Sequence, residues 1–134
     1  ALKYKYLASF DEQMIRLQNQ FRILDNPLVE KIYENSYDKV IAFSRGVLFF
    51  VFNFNPAKSF TDYGIPTRGK FRIILDTDDP EFGGFDRINR RSPYISIRKA
   101  ERPTLNVPFY LFLYLPARTA LVLRKENIRK ATEI

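Results

Sequence analysis

Residues Val47 to Phe54 read VLFFVFNF, and few folds can take in such a segment. A strand that is apolar at all but one position has no face to give to water. It must be buried on both faces or sit at the centre of a sandwich. Arg45-Gly46 supplies a tight turn back to the apolar run Val40–Ser44, so the two runs form an antiparallel hairpin. Leu28–Tyr33 precedes them, closed by the turn Asn35–Asp38. Lys70–Thr77, Tyr94–Arg98, Val107–Leu115 and Thr119–Arg124 follow. The last two read as a closing hairpin across Pro116-Ala117-Arg118, and Phe71, Ile73 and Leu75 alternate onto one face. Segments 55–69 and 78–92 read as loops from their Pro, Gly, Ser and Asp content. With Val47–Asn55 as the central member, the strands number about seven, with turn signals at intervals near ten residues. That predicts a mostly β fold, an antiparallel β-sandwich. The 13 Phe and 8 Tyr point the same way, because such rings suit a pleated, half-buried surface.

One helix precedes the strands. Phe10, Met14, Leu17, Phe21 and Leu24 recur at spacings of 4, 3, 4 and 3 and form a single stripe over residues 9–24. Ser9 with Glu12 three residues on reads as a capping box, and Asp25-Asn26-Pro27 as the stop. Burying five such side chains is worth about 7–15 kcal/mol at most, comparable to the stability of a small domain. The stripe must therefore pack on the sandwich, on a neighbour outside the chain, or on both, which makes these five the domain-interface candidates. The change of period near Pro27 divides the chain into a helical segment 1–27, a β-sandwich 28–124 and a polar tail 125–134.

The composition excludes several chemistries. With no His and no Cys among 134 residues, neither Ser–His nor Cys–His catalysis can be assembled, and disulfides and thiolate metal sites are absent. No apolar run approaches the ~20 residues of a membrane helix. The opening ALKYKY lacks the apolar core of a signal peptide and reads as the cut edge of a longer chain. Net charge is +7, but the basic residues are spread along the chain without a nucleic-acid-binding motif, so a solvated surface is expected and nucleic acid is not. The cluster Arg87, Arg90, Arg91, Arg98, Lys99 and Arg102, opposed by Asp86 and Glu101, reads as a solvated or domain-facing loop.

Two segments could hide a site. LDTDDPEFGG, residues 75–84, carries Asp76, Asp78, Asp79 and Glu81, but Pro80 and Glu81 stand where a calcium loop needs a ligand and a Gly, so no metal is expected. NFNPAKSFTDYGIP, residues 53–66, mixes polar groups with Phe60 and Tyr63, whose rings are the substrate-binding candidates for stacking on sugar. No catalytic residue and no cofactor is expected.

Together these segments resemble the C-terminal end of the eukaryotic-type glycogen and starch branching enzymes of the α-amylase superfamily (glycoside hydrolase family 13). LKYKYLASFDEQMIRL at 2–17, DKVIAFSRGVLFFVFNFNP at 38–56, KSFTDYGI, GKFRIILDTDDPEFGG and YLPARTALVL at 114–123 match in order and spacing, with Asn55 where the family commonly has His. The match breaks between Phe85 and Pro108. The resemblance implies an α-amylase-type C-terminal all-β domain that does no chemistry itself. An upstream catalytic (β/α)8 barrel in the same cytoplasmic chain would cleave α-1,4-glucan and transfer the piece to a 6-hydroxyl as an α-1,6 branch. The expected partners are that barrel and, through the parent enzyme, the α-glucan polymer. An independent glucan-binding module is the alternative, and a nucleic-acid-binding β domain a more distant one.

Overall fold

The computed structural model describes residues 2–22, 25, 28–98 and 109–126. Its elements are α1 (Leu2–Phe21), β1 (Val29–Asn35), β2 (Val40–Arg45), β3 (Leu48–Asn53), β4 (Phe60–Pro66), β5 (Lys70–Asp76), β6 (Tyr94–Ile95), β7 (Ile97–Arg98), β8 (Phe109–Leu115) and β9 (Thr119–Glu126). A six-stranded antiparallel sheet in the order β1-β2-β3-β9-β5-β6 faces a three-stranded one in the order β4-β8-β7. Between them lies one apolar core. Val40, Ala42, Phe49, Val51, Phe71, Ile73, Leu121 and Leu123 enter it from the large sheet, and Ile65, Leu111, Leu113 and Leu115 from the small one. The predicted antiparallel sandwich is therefore what the chain forms.

Within the run Val47–Phe54 the strand Leu48–Asn53 is covered on both sides, while Val47 and Phe54 at its ends are exposed. Phe49 and Val51 point into the core, while Leu48 and Phe50 point outward and are also buried, because α1 lies across that outer face. Phe10, Met14, Leu17 and Phe21 form the contacting stripe, against Leu48, Phe50, Leu75 and Val122. At one end Phe10 meets Phe82 edge-on at 5.3 Å, and at the other the Arg124 guanidinium sits 5.4 Å from the centre of the Phe21 ring. Leu24 lies outside the described residues.

Several expectations are corrected. The helix begins at Leu2, not at Ser9, which stands inside it. The segment LKYKYLA contains no Gly, Pro or capping residue, so nothing halts the helix before the apparent capping box. It ends at Phe21, where Arg22 turns into the left-handed region at φ 53° and donates its N–H to Gln18 O at 2.8 Å. Residues 60–66, read as loop, form β4. Its sequence FTDYGIP hides the strand because a bulge between Phe60 and Tyr63, with Asp62 at φ 49°, breaks the alternation, and only pairing with β8 satisfies the backbone.

Tyr94–Arg98 is two short strands in different sheets, hinged at Ser96. Ser96 locks onto Gly69 twice: its N–H donates to Gly69 O at 2.9 Å, and its hydroxyl accepts from Gly69 N at 2.8 Å. β8 and β9 are not a hairpin, since β8 belongs to the small sheet and β9 to the large one. Pro116 and the left-handed Arg118 (φ 58°) carry the chain across. Phe71, Ile73 and Leu75 do not share a face either. A bulge between Ile73 and Leu75 turns Leu75 outward under α1 and swings Asp76 to the inner side, opposite Leu121.

Candidate functional site

The side chains with chemical potential gather at one end of the sandwich, in the segment after β5. The bulge puts Asp76 inside, and the chain then turns so that Asp78 also points in; each carboxylate is only 1% exposed. A buried carboxylate needs a counter-charge and hydrogen bonds to every oxygen. Arg90 supplies Asp76 with a forked pair, Nε to Oδ2 at 2.8 Å and Nη2 to Oδ1 at 3.1 Å. Its other nitrogen, Nη1, holds Asp86 Oδ1 at 2.6 Å.

Asp78 accepts from the backbone N–H of Arg87 at 2.6 Å and of Phe85 at 3.3 Å, and from Arg87 Nε and Nη2 at 3.1 and 2.7 Å. Burial alone pushes the Asp78 carboxyl up. The Arg87 guanidinium and the two N–H groups outweigh that and hold it below its ordinary value. Asp79 caps a short 3-10 turn (Pro80–Phe82) by accepting from Glu81 N at 2.9 Å. Gly84 is required where the loop recrosses itself, because a Cβ there would lie 2.1 Å from the Asp78 backbone.

Chemically, this is a closed network. Reactive carboxylates must face a substrate with open lone pairs, and a retaining or inverting pair must do so across a sugar. Here Asp76 and Asp78 spend their oxygens on Arg90, Arg87 and the backbone. Among the described residues no group of three or more acids is arranged to hold a metal ion, and no buried side-chain polar atom lacks a partner. Of the expected basic cluster, Arg87 and Arg90 stand in this network. Arg98 stacks on Phe109 instead, 5.2 Å from its ring centre, and Lys99, Glu101 and Arg102 lie outside the described residues.

The structure places Phe60 and Tyr63 together on β4, with ring centres 5.0 Å apart. Tyr63 also meets Tyr33 at 5.9 Å, nearly perpendicular, and both candidate rings are half-buried against the core. The Tyr63 hydroxyl donates to Asp38 Oδ2 at 2.7 Å. Its one hydrogen is then spent, so Tyr33 is the donor in the 2.8 Å Tyr33–Tyr63 pair, and Asn35 Nδ2 donates to Tyr33 at 3.2 Å. Burial, followed by the bonds to Tyr33 and Asp38, raises the Tyr63 phenol well above its ordinary value. This chain of bonds ties the β1–β2 turn to β4. Tyr63→Phe is therefore expected to cost about 1–3 kcal/mol, because Asp38 loses a donor and Tyr33 an acceptor; an unchanged urea midpoint would show the network to be dispensable.

Sequence reasoning missed the aromatics that are most open to solvent. Tyr37 is 82% exposed in the β1–β2 turn, Phe85 78% exposed under the Arg87 guanidinium, and Phe54 64% exposed just past β3. Phe54 was legible only as the end of a buried run. Its outward direction depends on where α1 stops covering the sheet.

The family model described as "Alpha amylase, C-terminal all-beta domain" matches residues 33–126. The chain is 39% identical over 128 residues to a 1,4-alpha-glucan-branching enzyme of Aspergillus oryzae. It is also 39% identical to those of Felis catus and Dictyostelium discoideum, over 131 and 128 residues. These alignments take in 92–95% of the chain, and the chain spans 18% of the length of these curated relatives.

Proposed function

The chain belongs to the α-amylase C-terminal all-β domain family, and from that premise we propose that it is the non-catalytic C-terminal domain of a 1,4-α-glucan-branching enzyme. In this reading residues 1–27 end the catalytic barrel and lead out of it, and the sandwich from residue 28 onward steadies that barrel. The barrel itself cuts an α-1,4-glucan and rejoins the piece as an α-1,6 branch. One observation carries the reading: nearly the whole chain aligns with under a fifth of each relative. The paired state of the buried acids supports it, since a group already satisfied by Arg and backbone N–H is poorly placed to react.

The test is direct. The purified chain, incubated with amylose, is expected to make no α-1,6 linkages detectable by proton NMR, whereas the protein from the complete reading frame makes them. Branching by the 134-residue chain alone would overturn the proposal, and so would a reading frame that encodes no barrel upstream.

A weak contact between the domain and α-glucan through Phe60 and Tyr63 is the finer part of the same reading. It is supported by the partial exposure of both rings. Affinity electrophoresis in glycogen tests it: retardation that Tyr63→Ala abolishes and Tyr63→Phe keeps identifies ring stacking. Unretarded migration of the chain removes both this contact and the alternative of an independent glucan-binding module.

A further inference from the structure

Residues 89–94 read Asn-Arg-Arg-Ser-Pro-Tyr and lie where the resemblance to the branching enzymes breaks, so that reading gives Ser92 no role. The Tyr94 hydroxyl donates to Asn89 O and closes these residues into a loop that runs into β6. Within the loop Ser92 is exposed, and its hydroxyl has no partner among the described residues. Pro93 follows it. The proline ring fixes its own φ near about −65° and biases the residue before it toward extended backbone. Ser92 is also the one Ser or Thr among the 134 residues that stands directly before a Pro. An exposed hydroxyl on extended backbone, with proline next in sequence, is the form of substrate that a proline-directed protein kinase accepts.

The surroundings suit a phosphorylated product. Arg87 is committed to Asp78, and Arg90 to Asp76 and Asp86. Arg91 is not committed. It is exposed, it lines a polar hollow of about 480 Å³ with Arg87, Asn89 and Arg90, and it makes no ion pair with a described residue. Arg72 reaches the same place from β5. Its Nε holds Glu126 Oε1 at 2.6 Å, while its Nη1 donates to Arg91 O at 3.1 Å, one peptide unit away from Ser92. A phosphoryl group on Ser92 would therefore arrive beside one guanidinium that has no carboxylate and a second already docked on the adjoining carbonyl. Both can donate charge-assisted hydrogen bonds to phosphate oxygens.

We propose that Ser92 is a phosphorylation site for a proline-directed serine kinase, and that Arg91 and Arg72 hold the phosphoryl group and so fasten the loop to β5. In the transfer, Ser92 Oγ forms a bond to the γ-phosphorus of MgATP. The bond from that phosphorus to the β–γ bridging oxygen breaks, ADP leaves, and the hydroxyl proton passes to the catalytic aspartate of the kinase. The dianion that results stands where the nearby acids Asp76, Asp78 and Asp86 are already paired with Arg90 and Arg87. This inference goes beyond the branching-enzyme reading and does not rest on it.

The experiment incubates the purified chain, and the protein from the complete reading frame, with MgATP and a mitogen-activated protein kinase, and maps the label by tandem mass spectrometry. Both proteins should carry a phosphoryl group on Ser92. Ser92→Ala should remove that label. Pro93→Ala should slow the labelling by about tenfold or more, the scale on which a pocket discriminates by side-chain shape. Phosphorus NMR of the labelled chain then reads the hold by the arginines. The second ionisation of the phosphate should lie below its ordinary value of about 6, because guanidinium partners favour the dianion. Arg72→Gln should move it back toward that value, and so should unfolding the unsubstituted labelled chain in urea. Absence of label on Ser92 in either protein overturns the inference, as does label that appears only after unfolding. Labelling that Pro93→Ala leaves unchanged assigns the serine to another class of kinase and also overturns it. An ionisation that is the same in the folded and the unfolded chain refutes the hold by Arg72 and Arg91.

Discussion

Replacing Asp78 with Ala is expected to remove about 3–5 kcal/mol of stability, a large part of what a domain of this size possesses. The carboxylate is 1% exposed, and its loss strands the Arg87 guanidinium together with the N–H groups of Arg87 and Phe85. Thermal melting at pH 7 should show a fall of roughly 10–20 °C. The pH dependence supplies a sharper check. A carboxyl held below its ordinary value in the fold contributes stability above the ordinary carboxylate range and loses it as pH falls through the depressed value. Acidification should therefore destabilise the native chain more than the Ala variant, and the gap between them should close in strong acid. A gap of constant size from neutral pH to strong acid would show that Asp78 acts by shape alone.

Asn53→Asp should be comparably damaging, although it changes one atom type and no volume. Asn53 is 1% exposed at the end of β3. Its Nδ2 donates to the carbonyls of Leu115, Pro116 and Lys58 at 3.0, 3.1 and 3.1 Å, and its Oδ1 accepts from Asn55 N at 2.9 Å. One amide thereby clamps the loop after β3 to the strap that carries the chain from β8 to β9. A carboxylate in its place would point negative oxygen at three carbonyls in a dry site, an unpaired buried charge worth about 3–5 kcal/mol of destabilisation. Burial favours the neutral form of that carboxyl, so its folded pKa would be raised, the loss would be greatest at neutral pH, and part of it would recover on acidification. Both gaps from the parent narrow on acidification, but over different windows: that of Asn53→Asp already above the ordinary carboxylate range, that of Asp78→Ala only below it. Urea titrations at pH 7 and pH 4 would separate the two, and an Asn53→Asp chain as stable at pH 7 as the parent would refute the clamp.

Which parts of the fold could be read in advance follows from the range of the forces involved. The stripe Phe10–Met14–Leu17–Phe21 and the run VLFFVFNF are local periodicities, and each declares a face to be buried whatever it is buried against. The turn at Arg45-Gly46 is local as well. Strand β4 was not legible. The bulge at Phe60–Tyr63 destroys its alternation, and its hydrogen bonds come from β8, some fifty residues away. The helix start was misread for the reverse reason: Ser9 and Glu12 have capping chemistry, but capping is optional and the residues before them propagate a helix. At the acidic segment the sequence displayed four acids and could not display their partners. Arg87 and Arg90 reach back nine and fourteen residues, and they decide that these are braces.

Local chemistry along the chain thus settled the class of fold, the existence of the helix and its apolar stripe, and the lack of the groups that His- or Cys-based catalysis needs. Long-range packing alone determined three other matters: the splitting of Tyr94–Arg98 between two sheets, the inward swing of Asp76 at the β5 bulge, and the exposure of Phe54 beyond the cover of α1. The physical reason is that hydrophobic periodicity is carried by neighbours a few residues apart. Register, bulges and the edge of a helix's footprint arise where segments distant in sequence compete for the same hydrogen bonds and the same apolar surface.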